Sequence, residues 1–112
     1  MNTKNKIAAM LLAIGVFAVT GRAAETAENW TKHCAACHGA DGKGQTKAGK
    51  KADVKDLTDS KYQTTFTDEQ MFKQIKEGMK DKNGKEKMKA FGGLLSDDEI
   101  KGLVTFVRGL KK

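Results

Sequence analysis

The sequence predicts an all-α protein. Two segments begin with a capping box, in which a hydroxyl residue pairs with an amide or carboxylate residue three positions later. Each box continues into an apolar stripe of helical period. A third segment nearer the N-terminus has apolar residues at the same period, and no segment alternates apolar and polar residues as a half-buried strand does. With 112 residues, the chain has room for one small domain.

The first residues are typical of a secretion signal. Two lysines precede an apolar run of 13 residues, Ile7 to Val19, which is shorter than the roughly 20 residues that a membrane-spanning helix needs. Small residues follow this run, as at signal-peptide cleavage sites. We therefore predict a signal peptide over residues 1–23, with cleavage after Ala23 or Ala24, and one domain over residues 24–112. An uncleaved membrane anchor is the alternative, which the short run disfavours.

Charge and composition narrow the classes of function. The formal net charge is +7, and removal of the leader lowers it to +4 because Lys4, Lys6 and Arg22 leave with it. The remaining lysines are interleaved with acidic residues and the few aromatics lie at core spacings, which disfavours nucleic-acid binding. The signal peptide predicts a periplasmic protein without stable insertion in a membrane.

The first helical segment carries the only two cysteines of the chain in a C-x-x-C-H motif, Cys34 to His38. Two cysteines three positions apart on a helix lie on neighbouring turns of one face, about 5–6 Å apart at Cβ. Both thiols can therefore add to the two vinyl groups at one edge of a porphyrin, and the histidine then lies where it can coordinate the iron. The motif predicts one covalently attached haem c, bound through Cys34 and Cys37, with His38 as a ligand of the haem iron.

Three other interpretations of the motif stay open at this point. A thioredoxin-like redox pair belongs on a βαβ pattern, which does not precede the motif. A zinc site would draw its four ligands, His33, Cys34, Cys37 and His38, from six consecutive residues, whereas structural zinc sites combine two separated segments. A structural disulfide would leave the histidine without a role.

Irregular structure is predicted between this motif and the first capping box. Gly39 to Gly44 is a glycine-dense turn. Gln45 to Ser60 is polar and lysine-rich, with few apolar anchors. We expect it to form a loop that wraps the side of the haem where His38 lies.

The two capping boxes define the remaining helices. Thr67 to Gln70 opens the first of them, which is expected to end near Gly78. Its apolar stripe consists of Met71, Phe72, Ile75 and Met79. A charged loop, Asp81 to Lys87, leads towards the second box, Ser96 to Glu99. The apolar stripe of the last helix consists of Ile100, Leu103, Val104, Val107 and Leu110.

A six-coordinate haem needs a second axial ligand, for which methionine, histidine and tyrosine are among the usual choices. His33 adjoins the cysteines and is not expected to reach the far face of the haem, and Tyr62 would suit an enzyme better than a carrier. Met71 and Met79 belong to a helical stripe, where packing is the default role. Met88 lies between charged lysines, a costly place for an apolar residue that faces solvent, and it is the preferred candidate.

The segment from Met88 to Ile100 gives the clearest resemblance to a known family. It is similar to the Met-Pro-x-Phe-Gly stretch that leads into the last helix of class I cytochromes c, which are small soluble monohaem electron carriers. Trp30 matches the aromatic residue of their N-terminal helix, and Leu103 and Phe106 match the positions that meet it. The resemblance implies a cytochrome c fold, in which three to five helices wrap around one covalently bound haem.

The resemblance also implies the ligands and the function. With His38 and Met88 both bound to iron, no position is left for a substrate, so an electron carrier is expected rather than an enzyme. The expected partners are redox proteins, such as a membrane oxidase, a reductase or a dehydrogenase, and a monomer is expected. The alternatives are a small peroxidase or gas sensor with an open sixth position, and a dedicated electron-accepting subunit of a dehydrogenase.

The chain departs from this family in containing no proline. Lys89 stands where the family usually has a proline, and this removes a rigid backbone constraint beside Met88. The family also uses a proline carbonyl to orient the axial histidine. A backbone carbonyl within Lys50 to Val54 is the expected substitute for that role.

Overall fold

The computed structural model describes residues 22–112. Helix α1, residues 22–33, is followed by three short helices, α2 (Ala35–His38), α3 (Lys47–Ala52) and α4 (Ser60–Gln63). The remaining elements are α5 (Asp68–Glu77), β1 (Met79–Lys80), β2 (Glu86–Met88) and α6 (Asp97–Gly109). The prediction of an all-α protein is confirmed, since the strands in residues 22–112 are one antiparallel pair of two and three residues.

Both predicted capping boxes are formed. The hydroxyl of Thr67 accepts a hydrogen bond from the Gln70 N–H at 3.1 Å, and the Gln70 side chain accepts one from the Thr67 N–H at 2.8 Å. Ser96 and Glu99 make the same reciprocal pair at the start of α6. These bonds satisfy N–H groups that a helix N-terminus otherwise leaves unpaired, which is why both helices begin where the sequence predicts.

The hydrophobic core is built mainly from α1, α5 and α6. The ring of Trp30 lies 4.9 Å from the ring of Phe106. The side-chain amide of Asn29 donates a hydrogen bond to the Glu99 carboxylate at 3.2 Å, which ties α1 to the first turn of α6. The buried apolar side chains are Trp30, Cys34, Met71, Ile75, Phe91, Leu95, Ile100, Leu103, Val104 and Val107.

Arg108 holds the segment around α4 against the last helix. Its guanidinium donates hydrogen bonds to the carbonyl oxygens of Gln63 and Phe66, at 2.7 and 2.8 Å. The buried side chain of Gln63 donates in turn to the Val107 carbonyl at 2.9 Å. Buried polar groups are therefore paired here, and the backbone that follows Tyr62 is fixed.

The segment from Gln45 to Ser60, for which the sequence predicts a loop, contains helix α3. Its cap is Thr46, whose hydroxyl accepts the Gly49 N–H at 2.8 Å and donates to the Cys37 carbonyl at 2.8 Å. The prediction of a loop is wrong for these residues because a lysine-rich segment without an apolar stripe gives no periodic signal. Its helix is stabilised by the cap and by packing on the motif.

The placement of Met79 on the stripe of α5 is also wrong. The helix ends at Glu77, as predicted, and Gly78 (φ 78°, ψ −179°) turns the chain into β1. The predicted charged loop forms the turn and part of the second strand of a hairpin, in which Met79 lies directly opposite Met88. The helical period that groups Met79 with the stripe stops at the glycine.

The predicted signal peptide concerns the start of the chain. Residues 1–21 lie outside the described residues, while Ala23 and Ala24, where cleavage is predicted, belong to the described part of α1. The cleavage therefore stays a prediction. Within residues 22–112, no helix is both long enough and apolar enough to cross a bilayer.

Candidate functional site

A cavity of about 460 Å³ lies beside the C-x-x-C-H motif, a volume within the range of small-molecule and cofactor sites. Two parts of the chain form most of its lining. We call residues 30–57 the cysteine wall, whose lining residues lie within 32–38 and 52–57. We call residues 78–93 the methionine wall, whose lining residues are Met79 and those within 87–91. All four predicted site residues, Cys34, Cys37, His38 and Met88, line this one cavity.

The two cysteines are free thiols, Cys34 buried and Cys37 half-buried. The predicted continuous helix through the motif is interrupted at Cys34, whose φ of −117° separates α1 from α2. Burial raises the pKa of the Cys34 thiol to about 11, so this thiol is protonated at neutral pH. A thioredoxin-like pair depends on a thiolate of lowered pKa, and that chemistry does not match Cys34.

His38 is half-buried, and its buried Nδ1 atom has no hydrogen-bond partner among the described residues. Burial also lowers the pKa of His38, which favours the neutral form that binds metals. The expected acceptor for its N–H, a carbonyl within residues 50–54, does not bond to it. The Lys50 carbonyl instead accepts the Asp53 N–H at 3.3 Å. A buried polar atom without a partner is costly, and a bound group would remove that cost.

Backbone contacts fix the motif within the cysteine wall. The Thr46 hydroxyl holds the Cys37 carbonyl at 2.8 Å, and the Gly44 N–H donates to the His38 carbonyl at 2.8 Å. Gly49 lies so close to this backbone that a Cβ on it would be 2.3 Å from the Cys37 carbonyl oxygen. The roles of Thr46 and Gly49 were not predicted from the sequence. A threonine directly before a candidate helix is a cap signal that points to the first of them.

Trp30 supports the same motif from α1. It is 3% exposed, and its indole N–H donates a hydrogen bond to the Gly39 carbonyl at 3.1 Å. Its ring lies 5.9 Å from the His38 ring. Trp30, which the family resemblance matches to an aromatic residue of the N-terminal helix, thus contacts both His38 and Gly39.

The methionine wall places two thioethers at the cavity. Met79 and Met88 are direct partners in the hairpin, and both line the cavity. Met88 is half-buried and packs against the core, whereas Met79 is 41% exposed. Met71 is buried in α5, as its place on the helical stripe predicts. The position of Met79 at the cavity was not predicted from the sequence.

The chain after Met88 is anchored on the end of α5. The Phe91 N–H donates to the Ile75 carbonyl and the Gly92 N–H to the Lys76 carbonyl, each at 3.0 Å. These carbonyls belong to the last helical turn, which otherwise lacks intrahelical donors. Hydrogen bonds therefore supply part of the constraint that a proline supplies in the resembling family.

Two further candidates for the second ligand also reach the cavity. His33 lines it, and its ring lies 5.6 Å from that of Phe91 on the methionine wall. Tyr62 lines it from α4. The other candidates for the second ligand thus lie at this cavity, while Met71 lines a smaller cavity that also includes His38 and Met88.

The charge of the cavity lining is positive. One carboxylate, Asp53, is among its lining residues, and it forms an ion pair with Lys55 at 3.7 Å. The lysines of the lining are Lys32, Lys55, Lys87 and Lys89. A positively charged lining of this kind favours contact with acidic groups.

The donor set fits a haem better than a zinc ion. A haem c takes two thiols for attachment, and a neutral imidazole and a thioether are a usual axial pair for its iron. Within residues 22–112, no three His, Cys, Asp or Glu side chains are grouped so that they hold a metal ion. The zinc interpretation therefore has no support in the geometry.

Comparisons with known proteins give matches of two kinds, a family model and solved structures. A family model described as cytochrome c oxidase, cbb3-type, subunit III, matches residues 21–107. A solved structure of the c-type cytochrome KustC0563 is 34% identical, with a TM-score of 0.67 over 77% of this chain and 96% of that chain. A point mutant of Kustc0563 is 32% identical, with a TM-score of 0.66 over 78% and 99%. Among curated proteins no match is found.

Proposed function

The chain belongs to this family of c-type cytochrome domains and is an electron-carrying haem protein, and we propose that it carries single electrons between redox proteins in the periplasm. In this proposal one haem c is attached through Cys34 and Cys37, with His38 and Met88 as the axial ligands of its iron. The observation that supports it is the single cavity lined by these four residues.

The two axial side chains make the protein a carrier rather than an enzyme. A bound haem supplies a reversible one-electron change at its iron. When the haem is bound, the imidazole of His38 and the thioether of Met88 would hold its iron from both sides, which would leave no site for a substrate. A methionine ligand also raises the reduction potential relative to a second histidine.

The surrounding side chains keep water away from the iron ligands. Trp30 and Phe91 are both buried. The Trp30 ring lies 5.9 Å from the ring of His38, and the Phe91 ring lies 5.6 Å from the ring of His33. An apolar shell around a metal site controls solvent access and thereby the potential. Little reorganisation of these packed side chains is needed when the charge on the iron changes.

The proposed location rests on the predicted signal peptide. Covalent haem attachment takes place outside the cytoplasm in bacteria, and a leader over residues 1–23 would deliver the chain there. A second candidate is a fixed subunit of a membrane oxidase, which the description of the family model favours. The chemistry at the haem is the same in both cases, and only the permanence of the partner differs.

The test is expression of the full-length gene in a bacterium that matures c-type cytochromes, followed by fractionation. We expect red protein in the periplasmic fraction, with a mass equal to the chain from residue 24 or 25 onward plus one haem. The haem should stay on the polypeptide in acidified acetone, and the ferric protein should show the near-infrared band of methionine-ligated iron. A double Cys34→Ser and Cys37→Ser variant is the control and should lose covalent haem.

Three results would count against parts of this proposal. A colourless protein with a Cys34–Cys37 disulfide would overturn haem attachment. A red protein without the near-infrared band would overturn methionine ligation. Recovery of the pigment only in membranes, bound to an oxidase, would favour the second candidate.

A further inference from the structure

The hairpin places Met79 and Met88 as a matched pair. The two residues face each other directly across the antiparallel strands. Side chains of directly opposed residues lie on the same face of such a pair, with Cβ atoms about 4.5–5.5 Å apart. Both thioethers are therefore presented to the same side of the hairpin.

That side faces the haem site. Met79 and Met88 both line the cavity of about 460 Å³, together with His38. Both also line a smaller cavity of about 90 Å³, which again includes His38. In the larger cavity a group bound against the histidine has these two thioethers in its lining, and the smaller cavity adds that of the buried Met71.

Packing does not account for Met79. Its side chain is 41% exposed, and it is not among the partly buried apolar residues that pack on the core, whereas Met88 is. Its strand neighbours are Gly78 and Lys80, so no apolar stripe accounts for it. Core packing therefore does not account for this side chain, and the surroundings that the structure gives it are the linings of the two cavities.

We propose that Met79 is a second, reserve axial ligand of the haem iron. This inference rests on the proposed function, in which His38 binds one face of the haem and Met88 the other. In the exchange, the bond from iron to the Met88 sulfur breaks and a bond from iron to the Met79 sulfur forms. Both ligands are neutral thioethers that donate an electron pair, so no proton or electron is gained or lost.

The hairpin makes this exchange local. Methionine has three rotatable side-chain bonds and adapts to irregular space, so a change of side-chain conformation at two opposed positions is sufficient. The strand register can stay as it is. Met88 is the first ligand because its side chain already packs on the core, while the exposed Met79 must be ordered to bind.

The test uses the full haem-loaded protein and three variants: Met88→Leu, Met79→Leu and the double variant. Leucine keeps the volume of methionine and removes the sulfur, and such swaps usually cost less than about 1.5 kcal/mol of stability. The readout is the near-infrared band of methionine-ligated ferric iron, measured beside the far-ultraviolet circular dichroism spectrum as a check on folding. Met88→Ala repeats the experiment with more free space if the leucine variant does not take up haem.

We expect Met79→Leu and Met88→Leu each to keep the band and the double variant to lose it. Loss of the band in folded, haem-containing Met88→Leu and Met88→Ala, with the band present in wild type, would overturn the reserve ligand and leave the proposed function intact. A band that persists in the double variant would overturn the assignment to Met79. Absence of the band from wild-type protein would instead contradict the ligation on which the inference rests.

Discussion

The cysteine wall and the methionine wall of the cavity are held by different kinds of contact. In the cysteine wall, side chains hold backbone carbonyls nine positions away in sequence. The Trp30 indole holds the Gly39 carbonyl and the Thr46 hydroxyl holds the Cys37 carbonyl. The backbone of Gly49 then packs directly on this segment.

In the methionine wall, most hydrogen bonds close the hairpin on itself. The Asp81 carboxylate accepts the N–H groups of Asn83 and Lys85, and the Lys85 carbonyl accepts the Asp81 N–H. The strand residues are exposed except for the half-buried Met88. The wall joins the rest of the fold where Phe91 meets the end of α5.

This difference separates the stability of the whole fold from the stability of the iron–sulfur bond. Exposed segments with local hydrogen bonds open at a lower free energy than the packed core. A change in the cysteine wall should therefore lower the stability of the whole fold. A change in the methionine wall should release the iron–sulfur bond while most of the fold remains, and the near-infrared band should report that opening separately from circular dichroism.

The largest effect is expected from Gly49→Ala in the cysteine wall. A Cβ there would lie 2.3 Å from the Cys37 carbonyl oxygen and 2.7 Å from the Gly44 carbonyl oxygen, and backbone atoms cannot move aside as a flexible side chain does. Overpacking costs about 1–3 kcal/mol, and we expect the upper part of this range in the free energy of unfolding. Denaturant titration should show circular dichroism and the near-infrared band lost together, at a lower concentration than in wild type.

Gly109→Ala is the matched control for this substitution. Gly109 is also a helical glycine, at the end of α6, but no atom of residues 22–112 lies within 4 Å of a Cβ built there. Alanine in a helix is favoured over glycine by roughly 0.5–1 kcal/mol, so this variant should be as stable as wild type or slightly more so. Equal stabilities of Gly49→Ala and Gly109→Ala would contradict the tight packing of the cysteine wall.

A smaller effect on the whole fold is expected from Gly78→Ala in the methionine wall. Gly78 has φ of 78°, and a Cβ would lie 2.7 Å from the Met88 carbonyl oxygen. Such a conformation costs a non-glycine residue about 1–3 kcal/mol, and the exposed hairpin can move to relieve part of it. The near-infrared band should therefore disappear at a lower denaturant concentration than the circular dichroism signal.

The control for this variant is Gly93→Ala, since no atom of residues 22–112 lies within 4 Å of a Cβ built at Gly93. We expect its two signals to disappear as they do in wild type. If Gly78→Ala lost the band and the circular dichroism signal in one step, as Gly49→Ala is expected to do, the two walls would not open independently.

The two walls also differ in how much of them could be predicted from sequence. The C-x-x-C-H motif and the capping boxes act over three or four residues, so the positions of Cys34, Cys37, His38 and the starts of α5 and α6 follow from local rules. Met88 followed from its place among lysines and from the family resemblance. Cys34, Cys37, His38 and Met88 all line one cavity.

What could not be predicted depends on contacts between distant residues. Helix α3 depends on the Thr46 hydroxyl, which also binds the Cys37 carbonyl, and a sequence does not display such a pairing. The role proposed for Met79 as a reserve ligand depends on the hairpin register, which contains an irregularity between Met79 and Lys80. A shift by one residue would move its side chain to the other face. Within residues 22–112, no carbonyl accepts a hydrogen bond from His38 Nδ1. This too depends on how α3, which contains Lys50 to Ala52, packs on the motif.

The smallest effect among the substitutions that test the two walls is expected from Lys89→Pro, and it should be stabilising. Two conditions for a favourable proline are met. The Lys89 N–H donates no hydrogen bond among residues 22–112, so none is lost, and the preceding residue, Met88, ends an extended strand, the conformation that a residue before proline prefers.

Because proline reduces the freedom of the opened chain, Lys89→Pro should stabilise the closed methionine wall by about 0.4–1 kcal/mol. The near-infrared band should then persist to a higher denaturant concentration, closer to the point where circular dichroism is lost, while the latter changes less. Lys89→Ala removes the same side chain and charge but keeps an ordinary backbone, so it separates the effect of the ring from that of the lysine. Equal midpoints of the band in these two variants would show that the hydrogen bonds of Phe91 and Gly92 to α5 already hold the Met88 segment as firmly as a proline does.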